Sequence, residues 1–410
     1  MGILNTAALL ISLAALFSYL NYRFIKLPNT IGIMIISLLI SIILLIVGKF
    51  GWSALVFHAS QVLRGIDFHH TLMQGMLSFL LFAGALHINV NDLKQQQVVI
   101  GVLATFGVIA STFLLGTLSW LVLYALNVPL PYIYCLVFGA LISPTDPIAV
   151  IGILKNARVP KTLETKIAGE SLFNDGIGVV VFLVVLGIAV GGEDVSFQSI
   201  GLLFAREAIG GIVFGLALGA LTYFLLKDVD NYQLEVLLTL AAVMGGYALS
   251  TWLHISGPIA VVVAGLFIGN HGRRLAMSDK TRLHLDSFWE LIDEILNAVL
   301  FVLIGLEVLL LPLRTEYFLA ALAIIPLVLF ARYVSVGIPI LFLSRVRRFT
   351  PGVVQIMTWG GLRGGISVAL ALSLPLSLER EIILALTYAV VIFSIIVQGL
   401  TISRMVDDIR

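Results

Sequence analysis

The chain has 410 residues, 60% hydrophobic and only 11% charged, with a net charge of +1 and a mean hydropathy of +1.09. A soluble domain carries about 25% charged residues, so this composition excludes a water-soluble globule and describes a polytopic membrane protein. Its basic residues are scattered and its one cysteine is Cys135, which excludes a nucleic-acid-binding patch, an intrachain disulfide and a cysteine-rich metal centre.

Roughly 20 apolar residues cross a bilayer. On that ruler thirteen helical spans are predicted, at about 3–20, 30–48, 71–88, 98–126, 131–153, 166–190, 198–226, 232–253, 258–270, 286–311, 317–343, 351–374 and 382–402. No basic residue precedes the first span, so it reads as a retained helix and not a cleaved signal. Only about ten residues follow the last, so no soluble C-terminal domain is expected. Basic residues test the count, because they collect on the cytoplasmic side. With the N-terminus outside and the C-terminus cytoplasmic, Lys49, Arg64, Arg314 and Arg380 lie outside. Arg206, Arg332 and Arg363 lie in spans, and the other 17 of the 24 lie inside. The bias supports the odd count and that orientation, and the expected location is the plasma (inner) membrane.

An internal repeat is visible at low contrast. Span 2 opens Leu27-Pro28-Asn29-Thr30-Ile31-Gly32 and span 9 opens Ser256-Gly257-Pro258-Ile259-Ala260. Span 5 reads Gly139-Ala140-Leu141 then Ile148-Ala149-Val150, and span 12 reads Gly360-Gly361-Leu362 then Ile366-Ser367-Val368. Each pair is seven spans apart, and an odd offset reverses direction through the membrane. This predicts an inverted repeat of spans 1–6 and 8–13 around span 7.

Spans 5 and 12 are predicted to be broken. Span 5 carries Pro144 and Pro147, and each proline removes a helical hydrogen bond. Span 12 sets Gly360, Gly361, Gly364 and Gly365 around Arg363, and glycine permits unwound backbone. Broken backbone at membrane depth belongs where protein or a water-filled cavity surrounds it. Half-helix ends carry partial charges, so Asp146 is expected against positive ends and Arg363 against negative ones.

Span 6 carries the acids. Residues four apart share a helix face, so Ser171 stacks with Asp175, and Glu170 with Asn174. Ser171, Asp175, Asp146 and carbonyls freed around Thr145 form an oxygen-rich set, which suits hard cations such as Na⁺, Li⁺ or K⁺. Desolvation favours the neutral form of a carboxylate, which can then hold a proton; ionised, it binds a cation. Asp175 is the choice for that exchange. Asn174 cannot titrate, so the pair cycles one charge. Glu170 needs a cationic partner, with Arg332 and Arg363 available. Glu307 is the other mid-to-late-span acid. Asp286, Glu290, Asp293 and Glu294 share a face at the inner end of span 10, as a cytoplasmic vestibule or as a solvated helix start. The seven histidines lie in loops or at span ends and read as interfacial.

Ser143-Pro144-Thr145-Asp146-Pro147, then Gly169-Glu170-Ser171-Leu172-Phe173-Asn174-Asp175-Gly176, then Gly360-Gly361-Leu362-Arg363-Gly364-Gly365 together resemble the monovalent cation:proton antiporters of the NhaP/NHE type. The resemblance covers essentially the whole chain. It implies the NhaA-like antiporter fold, all-α, with spans 5 and 12 crossed. It implies that Asp175 exchanges Na⁺ (or Li⁺) and H⁺, and that Thr145, Asp146 and Ser171 help hold the cation. Asn174 would brace the crossing, Glu170 would pair with Arg332, and Arg363 would stabilise span 12. The Asn-Asp pair is similar to the electroneutral branch. A homodimer is implied, with a scaffold part (about 3–48 and 198–270) rocking against a transport bundle (about 71–190 and 286–402). No cofactor is expected.

A K⁺(Na⁺)/H⁺ antiporter on the same scaffold stays open, because selectivity depends on cage size. An intramembrane hydrolase is disfavoured. Gly169-Glu170-Ser171 and Gly365-Ile366-Ser367 resemble nucleophile motifs, yet no histidine lies mid-span to serve as base. A passive channel is a remote alternative: saturable, obligatorily coupled flux rules it out, whereas single-channel currents would support it. An ATP-driven pump is disfavoured too, since Ile43 stands where a Walker A glycine would precede Gly48-Lys49.

Overall fold

The structure, a computed structural model, describes residues 3–146, 160–191, 197–311 and 314–409. Pro147 and the second half of the predicted span 5 lie outside the described residues. Within them the chain is helical, with no strand. The longer helices are α1 (Ile3–Leu20), α2 (Asn29–Lys49), α3 (Ser53–Arg64), α4 (Leu77–Leu86), α5 (Val90–Ala125), α6 (Tyr132–Ile142), α7 (Lys161–Val190) and α8 (Phe197–Lys227). They continue as α9 (Tyr232–Trp252), α10 (Gly257–Phe267), α11 (Asp279–Glu307), α12 (Thr315–Leu343), α13 (Val353–Trp359), α14 (Gly365–Leu372) and α15 (Leu378–Asp407). Eight of the described helices are long and apolar enough to cross a membrane by length and composition.

Two packing groups emerge. In one, α6 and α7 lie along α5, and α12 packs on both α5 and α15. Its core joins Leu115, Phe138, Phe182, Ile324 and Leu386. Close approach is possible because position 139 is glycine: a Cβ there would strike the Thr112 carbonyl of α5. In the other group, α11 packs along α2 and α1, α8 and α4 pack along α10, and α9 joins α8 and α10. Leu10, Met34, Phe301 and Ile304 are buried in its core, which also takes in Val368 of α14 and Tyr388 of α15. Every such residue removed from contact with water or lipid ends contributes through dense packing, because the interior is filled to near-crystal density.

Several boundaries differ from the sequence expectation, among them the starts of α5 at Val90 and α7 at Lys161, and two differences show the cause. The stretch between spans 2 and 3 contains α3, whose 12 residues are too few to cross a bilayer. Leu63 is buried and Phe57 is 59% exposed, so α3 is two-faced and rests on α2. A ruler tuned to 20 apolar residues cannot register such a helix. Helix α11 starts at Asp279, ahead of the expected 286, because the Ser278 hydroxyl accepts from the Thr281 N–H (3.4 Å) and caps it. Its first two turns are polar and invisible to hydropathy.

Candidate functional site

The site forms where two interrupted segments meet α7. Helix α6 stops at Ile142 with Ser143 as its cap, and Pro144-Thr145-Asp146 runs on without helical hydrogen bonding. Helix α13 ends at Trp359 and α14 begins at Gly365, so 360–364 is an unwound bridge. The two breaks hold each other. The Asp146 N–H donates to the Leu362 carbonyl (2.7 Å). The Arg363 guanidinium, 2% exposed, donates to the carbonyls of Ser143 (2.5 Å) and Pro144 (2.9 Å). Those carbonyls are orphaned where α6 ends, so a cation there meets the negative end of a helix. The Arg363 N–H donates to Ser394 Oγ (2.9 Å), which ties the bridge to α15.

Asp146 lies at the opposite pole. A Cβ at Gly364, the residue that caps α14, would overlap the Asp146 carboxylate. The carboxylate thus sits at the positive start of α14, where dipole and free N–H groups favour an anion. Glycine at 364 is required by that approach.

Helix α7 braces the break from its other side. The Asn174 amide accepts from the Thr145 N–H (3.3 Å) and donates to Thr145 Oγ1 (2.9 Å). The Ser171 hydroxyl donates to the Thr145 carbonyl (2.5 Å) and lies 2.9 Å from Thr145 Oγ1. Ser171 and Asn174 are three apart, one helical turn, so they grip Thr145 like two jaws. Helical periodicity put Ser171 on the face of Asp175; the structure adds that its hydroxyl is engaged with Thr145.

Glu170 and Arg332 form a two-pronged ion pair at 2.5 and 2.8 Å, with 1% and 5% exposure. Arg332 also donates to the Met357 carbonyl from Nε (3.4 Å) and Nη2 (3.3 Å). The charge on Glu170 is therefore matched in geometry and hydrogen bonding, as a buried charge must be. Arg363, the other cation available to Glu170, is spent on the carbonyls of the break.

Asp175 is 6% exposed and opens, with Asp146, onto one cavity of about 630 Å³. Its walls include Leu77, Leu81, Leu172 and Leu300, and its mouth carries Glu164, Asp286, Glu290 and Asp293. Of the acidic face on α11, three members line the cavity, whereas Glu294 is exposed elsewhere and Glu307 lies at the far end of the helix. His87 also lines the wall, a role that its place at a span end did not announce. Ser394 and the Leu362 and Met357 carbonyls carry no clear signal in the sequence either. Isolated serines are common in apolar spans, and a backbone carbonyl leaves no mark in sequence.

The arrangement supplies carboxylate, hydroxyl and carbonyl oxygens beside a cavity roomy enough for several waters. It suits a hard cation and a proton. Among the described residues no cluster of three His, Cys, Asp or Glu side chains has metal-holding geometry.

A family model described as sodium/hydrogen exchanger, transmembrane, matches residues 11–407. The Na⁺/H⁺ antiporter NhaP of Pseudomonas aeruginosa is 53% identical over 410 residues, covering 99% of this chain and 97% of that protein. The Na⁺/H⁺ antiporter NhaH of Halobacillus dabanensis is 35% identical over 346 residues, covering 83% and 84%. Among solved structures, the sodium proton antiporter MjNhaP1 from Methanocaldococcus jannaschii matches with a TM-score of 0.76 at 20% identity, covering 98% of this chain and 97% of that one. At that identity the match speaks to the fold.

Proposed function

The chain belongs to the sodium/hydrogen exchanger family, and from that premise we propose that it exchanges Na⁺ (or Li⁺) for H⁺ by alternating access, one cation per proton. It is a multi-pass membrane transporter and not an enzyme. The observation that carries the finer reading is the placement of Asp175 and Asp146 on one cavity, beside two mutually held helix breaks.

Asp175 is the exchanging carboxylate in this reading. Protonated, it is neutral and tolerates its buried position; ionised, it needs a cation. A cation entering from the cavity takes oxygens from Asp175 and Asp146, with the Thr145 carbonyl and Ser171 hydroxyl as further ligands. Asn174 contributes no charge, so one proton leaves for each cation bound. Glu170 and Arg332 hold α7 against α12 as a fixed ion pair. Arg363, Pro144 and Asn174 keep the breaks open.

The thirteen spans, inverted repeat and crossing of spans 5 and 12 belong to the same proposal. So does an inner-membrane orientation with the N-terminus outside, which makes the cavity cytoplasmic. The moving bundle is α5–α7 with α12–α15, and the scaffold is α1, α2, α4 and α8–α11. This division differs from the one expected from sequence in grouping α4 and α11 with the scaffold, and what supports it is that α4 lies along α10 and α11 along α2. Two scaffolds pair in a homodimer, which mass measurement in detergent tests.

The decisive experiment is cation-driven collapse of a pH gradient in proteoliposomes. Na⁺ and Li⁺ are expected to drive it and choline is not. Equal driving by K⁺ would move the reading to a K⁺(Na⁺)/H⁺ antiporter. Undiminished exchange by Asp175→Asn sinks the assignment of Asp175.

A further inference from the structure

Lys166 is a buried base that the exchange chemistry leaves unused. It stands in the second turn of α7 and is 4% exposed. Its ammonium lies over the Phe349 ring, 4.7 Å from the centre. A ring face attracts a cation but offers no oxygen to its three N–H donors. Among the described residues Lys166 takes part in no ion pair and no hydrogen bond. The charge within its electrostatic reach is Arg347, a second base. Arg347 is half-buried and gives one of its five donors to the Gln95 carbonyl (2.7 Å). The acids on the neighbouring turns are engaged elsewhere. Asp92 pairs with Lys161, Glu164 opens on the cavity, and Arg332 holds Glu170. Residues 147–159 lie outside the described ones, and their sequence contains Lys155 and Arg158 and no acid.

Two bases held together repel each other, and a buried charge without a counter-charge is costly. An anion from outside the chain supplies what the chain does not. Phe349 packs against Leu163, Ile167 and Ile402, which fixes the ring that carries the ammonium. We propose that Lys166 and Arg347 form a site for a phosphate group, supplied by an anionic phospholipid. An ammonium and a guanidinium are the side-chain partners that phosphate oxygens take. Two observations favour the lipid. The expected sixth span begins at 166 and the eleventh ends at 343, which places both bases at headgroup level. Beside them Leu341, Phe342 and Val346 are exposed, and Arg345 lies over the Phe342 ring (5.7 Å), so an apolar rim for acyl chains adjoins the basic pair. Lys166 and Glu170 are four apart, so the site continues the α7 face that Glu170 and Arg332 join to α12. An occupied site fastens the end of that seam. The inference does not depend on which carboxylate exchanges.

Thermal melts of the full chain in neutral detergent, with phosphatidylglycerol or phosphatidylcholine added, test it. Phosphatidylglycerol is expected to raise the melting midpoint saturably, well beyond phosphatidylcholine at the same concentration. Lys166→Gln and Arg347→Gln should each raise the half-saturating lipid roughly tenfold, the size of losing one charge-assisted contact. Lys166→Arg should keep the response. Lys280→Gln removes an exposed base on α11 and should change nothing, which separates a site from the general attraction of basic loops to anionic lipid. The rise should persist in about 1 M choline chloride, where charges more than roughly 3 Å apart are screened. Arg347→Gln carries the test if Lys166→Gln does not fold. The same rise from inorganic phosphate in lipid-free detergent, lost in the same variants, would keep the site and overturn its assignment to a lipid. No rise with either, an undiminished rise in both variants, or an equal loss in Lys280→Gln would overturn the proposal.

Discussion

Glu170 and Asp175 sit five residues apart on α7, both almost wholly removed from the surface, yet they are chemically opposite. Glu170 faces Arg332 in a two-pronged pair whose remaining hydrogen bonds end on a backbone carbonyl. Asp175 faces a cavity that it shares with Asp146. Burial is common to the two, so burial alone does not make a carboxylate functional. What separates them is a fixed counter-ion on one side and an exchangeable one on the other. A matched ion pair resists change because removing either partner strands a buried charge. A carboxylate without such a partner accepts whichever cation arrives.

The comparison predicts a split between loss of transport and loss of structure. The largest effect is expected from Asp175→Asn, with exchange falling to the level of empty liposomes while the purified protein keeps its elution profile and thermal stability. Parent-like exchange, or collapse of the fold, would erase the contrast. Next comes Glu170→Ala, which should cost about 3–5 kcal/mol of stability by leaving Arg332 buried and unpaired. A thermal melt in detergent reads it, and Glu170→Ala combined with Arg332→Leu should recover part of the loss. Normal stability of the single variant, with altered cation affinity alone, would move Glu170 to the functional side.

Arg363→Ala is intermediate. It removes the donors to Ser143 and Pro144, and hydrogen bonds from charged groups contribute about 1.5–3 kcal/mol each. Both stability and exchange should fall, with Arg363→Lys less affected; an unchanged melt would show that the crossing holds without it. The smallest effects are expected from Ser171→Ala and Asn174→Ala, about 1 kcal/mol apiece. Each frees one side of Thr145 and should raise half-saturating Na⁺ by up to about fivefold. Because both jaws hold one residue, the double variant should depart from additivity. Additive losses would mean that Thr145 is not their shared target.

Much of this site is legible in the residues themselves. Pro144 and the glycines around Arg363 fall where α6 stops and where α13 and α14 are separated, since backbone chemistry is a property of each residue. Four-residue spacing on α7 separates the faces of Ser171 with Asp175 and Glu170 with Asn174, since helical periodicity is local. Other features escape for the same reason. Helix α3 is too short for a span ruler, and the polar start of α11 depends on the Ser278 cap. The acidic face of α11 had two readings, vestibule or solvated start, and the choice turned on what packs opposite.

Taken alone, the sequence determines a multi-spanning helical chain, the places where its helices break, and which carboxylates fall inside apolar runs. These follow from hydropathy, from the missing N–H of proline and from a period of 3.6 residues, all of which act over a few neighbours. Only the tertiary structure decides that Glu170 takes Arg332, 162 residues away, and that Arg363 caps Ser143 across 220. It alone puts Asp293 on the cavity and leaves Glu294 and Glu307 off it. Pairing between distant segments depends on how helices stack, and a pattern read along one helix carries no record of what the facing helix presents.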